Sequence, residues 1–68
     1  MTTATIQERG ALLAKLEHSH LGPGYWLVEG YDVTRPRAWG NWDITRAGRR
    51  IQQATTLTAA LRWIADQP

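Results

Sequence analysis

Spaced at 100° per residue, Ile6, Gly10, Leu12, Leu13 and Leu16 fall on one side of a helix, with Glu8, Ala11, Lys15 and Ser19 opposite. Thr5-Ile6-Gln7-Glu8 has the form of a capping box, with Thr5 as N-cap and Glu8 reaching back to its amide. Gly10 costs a helix interior about 1 kcal/mol relative to Ala, so it is expected to mark a close backbone contact. Gly22-Pro23-Gly24 supplies the stop, a Gly cap followed by a residue that cannot continue the helix.

Beyond that stop the period changes. Residues 25–33 are rich in aromatic and β-branched side chains and predict one strand. Tyr25, Leu27, Tyr31 and Val33 share a face interrupted by Glu29, Trp26 and Val28 share the other, and Gly30 fits a bulge. Residues 34–41 form a connection whose bend fits either Pro36 or Gly40-Asn41. Residues 42–46 alternate as a second strand with Trp42 and Ile44 inward, Ala47-Gly48 makes a turn, and residues 49–53 return as a weaker third strand. Thr55 or Thr56 then caps a last helix with a stripe of Leu57, Ala60, Leu61 and Ile64; Trp63 lies on its flank and Arg62 and Asp66 point outward. The expected architecture is α+β: an N-terminal helix, a three-stranded antiparallel meander and a C-terminal helix (αβββα), forming one domain over residues 1–68.

Composition narrows the means of stabilising so short a chain. A domain near 60 residues buries only about 60% of the surface its unfolded chain exposes. The absence of Cys removes disulfides and thiolate zinc sites, so four Trp and two Tyr are expected to carry much of the packing. No apolar run nears the roughly 18 residues of a membrane span, and the first residues lack a signal peptide's order. A cytoplasmic protein without a membrane partner is expected.

Charge is unevenly placed. Residues 1–32 hold Arg9 and Lys15 against Glu8, Glu17, Glu29 and Asp32, whereas residues 33–62 hold six Arg against Asp43 alone. Such asymmetry points to an acidic surface or a polyanion as partner.

Catalytic chemistry finds little footing. On a helix, His18 and His20 sit about 200° apart and their rings diverge, so neither a metal site nor a cofactor is expected. Ser19 is the only Ser and lacks a base oriented by a third group. The glycines match no phosphate-cradling pattern. A non-enzymatic protein is expected.

The distinctive constellation is Arg35-Pro36-Arg37-Ala38-Trp39-Gly40-Asn41-Trp42, followed by Arg46, Arg49 and Arg50. Trp and Arg are enriched at binding hot spots, where a rigid apolar area combines with a fork of donors for carboxylate or phosphate. Arg35, Arg37, Trp39, Arg46, Arg49 and Arg50 are therefore the expected partner-binding residues, gathered on one outward patch while Trp42 serves the core. The favoured partner is a protein with an acidic surface. This suits an accessory, regulatory or inhibitory factor of the kind phages and plasmids carry. The alternative is a nucleic acid whose phosphates meet the same Arg residues. The helix–three strands–helix order resembles double-stranded-RNA-binding domains, but the basic helix start those domains use is missing. A polar third strand at the sheet edge leaves room for a homodimer.

Overall fold

The computed structural model describes residues 3–37 and 39–67, with side chains from residue 7 onward. Helix α1 (Thr3–Lys15) leads into strands β1 (His18–Gly22), β2 (Tyr25–Val28), β3 (Tyr31–Thr34), β4 (Trp42–Arg46) and β5 (Arg49–Ala54), and helix α2 (Leu57–Ala65) follows. The strands form one antiparallel sheet in the order β1-β2-β3-β4-β5. The fold remains α+β, but the expected three-stranded meander is corrected to five strands, αβββββα.

Two local causes account for the difference. First, α1 ends at Lys15 rather than running to Gly22, and His18–Gly22 is extended against β2, with His18 opposite Val28 and His20 opposite Trp26. Second, Glu29-Gly30 is not a bulge but a two-residue hairpin turn. Glu29 and Gly30 both have positive φ, 51° and 83°, as a type I′ turn requires. The single strand expected over residues 25–33 is thus β2 and β3, and the turn reverses the alternation. Trp26, Val28, Tyr31 and Val33 face inward, while Tyr25 and Leu27 face out at 39% and 38% exposure.

Other expectations fare better. Trp42 and Ile44 are buried, Ala47-Gly48 turns with φ of 55° and 78°, and Thr56 caps α2 by accepting a hydrogen bond from the Ala59 N–H at 3.0 Å. The whole predicted stripe of α2 is buried, and Thr58 joins it. The capping box proposed at Thr5 does not start its helix, because α1 already includes Thr3; the Thr5 side chain lies outside the described ones. Glu8 instead accepts from Arg62 Nε and Nη2 at 2.9 and 2.8 Å, clipping α1 to α2. Gly10 marks no close contact, since a Cβ there would meet nothing within 4 Å.

The core lies between the helix pair and one face of the sheet. Val28, Val33, Ile44 and Leu61 are fully buried, and Leu12, Tyr31, Trp42, Leu57, Ala60 and Ile64 complete the cluster. Each large apolar side chain so buried contributes about 1.5–3 kcal/mol. The other face of the sheet is open to solvent and largely satisfied within itself. Tyr25 Oη donates to Asp32 at 3.2 Å, Gln53 donates to Asp43 at 3.0 Å, and Arg50 lies 3.7 Å from Asp43. Among the described residues no helix is long and apolar enough to cross a membrane.

Candidate functional site

The meander decides where the arginines go. The turn Pro23-Gly24 and the β3–β4 connection lie at one end of the strands, and the turns at residues 29–30 and 47–48 lie at the other. At about 3.4 Å per residue, the five-residue strand β4 holds its two connections on the order of 17 Å apart. Arg35, Arg37 and Trp39 therefore occupy one pole, and Arg46 and Arg49 the other. Arg50 lies on the open face, turned toward Asp43. The expected single patch is divided in two, because β4 runs between the two turns that carry it.

At the first pole the backbone is tightly tied. The Arg35 N–H donates to the Gly24 carbonyl at 2.8 Å, fastening the β3–β4 connection to the β1–β2 turn. Gly24 has φ of 68°, and a Cβ there would stand 2.5 Å from the Arg35 carbonyl oxygen. Arg35 lays its guanidinium carbon 4.7 Å from the Trp42 ring centroid, and Arg37 lies 6.0 Å from that of Trp39. Trp39 is 69% exposed, the most exposed large apolar side chain among the described residues, so it is not a core residue.

Three depressions adjoin here. One of about 320 Å³ is lined by Pro23, Gly24, Arg35, Pro36 and Arg37. A second, about 270 Å³, runs from Pro36 and Arg37 past Trp39 to Asp43 and Gln53. The third, about 240 Å³, lies between Arg9, Arg35, Trp42 and the Thr55-Thr56-Leu57 junction. Arg9 was not among the expected site residues. It reaches this pole because α1 packs on α2, where its Nε donates to Thr58 Oγ1 at 3.2 Å. That helix pairing is a tertiary fact with no local signature in the sequence.

The second pole is mixed in charge. Arg46 lies 4.6 Å from the Tyr31 ring centroid, and its depression of about 370 Å³ also includes Lys15 and Glu29. The Glu29 carboxylate accepts from the Glu17 N–H at 2.6 Å, and the Glu29 N–H donates to the Glu17 carbonyl at 2.8 Å.

The histidines also differ from expectation. On extended β1, His18 and His20 share a face, as i and i+2 must. His20 stacks on Trp26 at 4.0 Å with an interplanar angle of 9°, and His18 lies 6.0 Å away. His18 Nδ1 donates to the Leu16 carbonyl at 2.8 Å. Beside them, a depression of about 180 Å³ is lined by Glu17, His18, Ser19 and Glu29 but not by His20. Among the described residues no three His, Asp or Glu side chains are grouped to hold a metal ion. Compared with known proteins, the chain matches no family model, no curated protein and no solved structure.

Proposed function

We propose that the chain is a non-enzymatic binding protein that docks on an acidic surface of a protein partner, acting as an accessory or inhibitory factor. Its contact surface is the pole formed by Arg35, Arg37 and Trp39. The observation that carries this reading is the 69% exposure of Trp39 beside the Arg37 guanidinium. Exposing an indole costs solvation that a core position would have avoided, and an interface would recover it. The flanking cations would steer an acidic partner and fix its orientation.

The nucleic-acid reading has less support. The open sheet face that would offer bases a stacking platform carries Asp32 and Asp43 beside Tyr25 and Leu27, and carboxylates repel a phosphate backbone. The five-stranded order also removes the likeness to double-stranded-RNA-binding domains.

Affinity capture from the source cell with the wild-type chain, Trp39→Ala, Arg37→Ala and Arg49→Ala tests the proposal. The expected outcome is one acidic protein retained by wild type and Arg49→Ala but lost from the other two. An oligonucleotide shift at low salt that Arg37→Ala abolishes would instead establish nucleic acid as the ligand.

A further inference from the structure

We infer that the depression between Arg9 and Arg35 is an oxyanion-binding cleft that takes a carboxylate from an acidic segment of a protein partner. The identity of the occupant rests on the docking reading above; the anion preference stands on the cleft itself.

Two guanidinium groups line this depression of about 240 Å³, with Trp42, Thr55, Thr56 and Leu57, and among the described residues no acidic side chain lines it. Arg9 comes from α1 and Arg35 from the end of β3, so like charges from distant parts of the chain are brought to one opening. Each is held in place: Arg9 by its bond to Thr58 Oγ1, and Arg35 by its backbone bond to Gly24 and its stacking over Trp42. The Thr56 hydroxyl accepts from the Ala59 N–H and keeps its own O–H to donate, so it can add one neutral donor to the two arginines.

A second observation points to a ligand. Arg35 Nε is buried and has no hydrogen-bond acceptor among the described residues. A buried guanidinium N–H without an acceptor is costly, and an oxyanion in the adjoining cleft would supply the acceptor it lacks. A small turn of the guanidinium over the Trp42 ring would present its Nε–H and Nη–H edge to a carboxylate in the bidentate manner Arg favours. Trp39 then lies along the same connection as the apolar anchor of the partner, and the cleft sets the register of an acidic side chain beside it.

Titration of the ¹⁵N-labelled chain with a hexaglutamate peptide, and separately with inorganic phosphate, tests the inference through the Arg35 Nε–H resonance and the Thr56 and Leu57 amides. Saturable shifts with hexaglutamate are expected. Arg35→Gln should weaken binding by about tenfold or more, and Arg37→Gln by clearly less. Arg35→Lys keeps the charge and loses the fork, and is expected to fall between wild type and Arg35→Gln. Its spectrum also shows whether the fold survives a change at this position. Saturation by phosphate without saturation by the peptide would overturn the carboxylate assignment, and unmoved resonances with both probes would overturn the cleft as a site. Partner capture abolished by Trp39→Ala but unchanged in Arg35→Lys and Arg35→Gln would also defeat the inference while leaving the docking reading intact. Shifts with hexaglutamate combined with partner capture indifferent to Trp39→Ala would do the reverse.

Discussion

Two glycines show how differently one residue type is used. Gly24 sits at φ of 68° in the Pro23-Gly24 turn with the Arg35 carbonyl oxygen 2.5 Å from where a Cβ would stand. Gly10 lies in α1 with nothing within 4 Å. Gly24→Ala is therefore expected to destabilise the chain by more than the roughly 1–2 kcal/mol that a left-handed conformation costs a non-glycine residue. The added methyl must also push the β3–β4 connection, and Arg35 with it, off the β1–β2 turn. Gly10→Ala should stabilise by about 1 kcal/mol through helix propensity alone. Urea denaturation of both variants gives the signs directly. Stabilisation by Gly24→Ala would mean that the turn is not held against Arg35. From sequence the two glycines looked like a helix stop and a close contact. Gly22-Pro23-Gly24 was legible as a break in the chain but not as a helix stop, since α1 already ends at Lys15 and Pro23-Gly24 turns β1 into β2. The contact at Gly10 depended on a neighbour that the fold does not supply.

At the scale of elements, legibility followed burial except at β5. That strand is exposed over residues 49–53 but was readable from the Ala47-Gly48 turn that returns the chain along β4. α2 was readable because its stripe is buried as a unit, and β4 because Trp42 and Ile44 alternate with polar residues over a covered face. β1 was not, since residues 18–21 are all exposed, and an edge strand with no buried side leaves no period-2 pattern to detect. The β2–β3 turn was hidden because type I′ turns favour Asn or Asp before Gly, and here a Glu occupies that place. Its carboxylate gains the Glu17 amide as a partner, which a sequence window cannot show. The pairing of α1 with α2 has a pH signature of its own. Hydrogen bonding from Arg62 holds the Glu8 carboxyl below its ordinary value of 4.5. A carboxylate whose folded-state pKa is depressed contributes stability above its unfolded value, and that contribution is lost as pH falls through the folded value. The pair is exposed, so the effect should be small. Thermal melts of wild type and Glu8→Gln should differ slightly at neutral pH and converge below about pH 4.5. A gap that widens on acidification would show that the clip contributes through something other than charge.

For the whole molecule, the central consequence of five strands is that the basic residues face two ways. Poles on the order of 17 Å apart are separated by about two Debye lengths at physiological ionic strength, where that length is about 8 Å. Each pole must then steer its own encounters. The first has Arg9, Arg35 and Arg37 beside an exposed Trp39, with Asp43 nearby but shared with Arg50, whereas the second offsets Lys15, Arg46 and Arg49 with Glu17 and Glu29. A protein partner bearing carboxylates should therefore feel a directional attraction toward the first pole, strongest at low salt. Stopped-flow association with the captured partner can measure this at about 20 and 150 mM salt, ionic strengths at which the Debye length falls from about 20 to 8 Å. Arg37→Glu is expected to slow association several-fold at the lower salt and much less at the higher, with little effect on the melting temperature because Arg37 is exposed. Arg49→Glu should leave the rate near wild type at both. Equal slowing by the two charge reversals would mean that the poles act as one field, and the assignment of docking to the Trp39 end would then have no electrostatic basis.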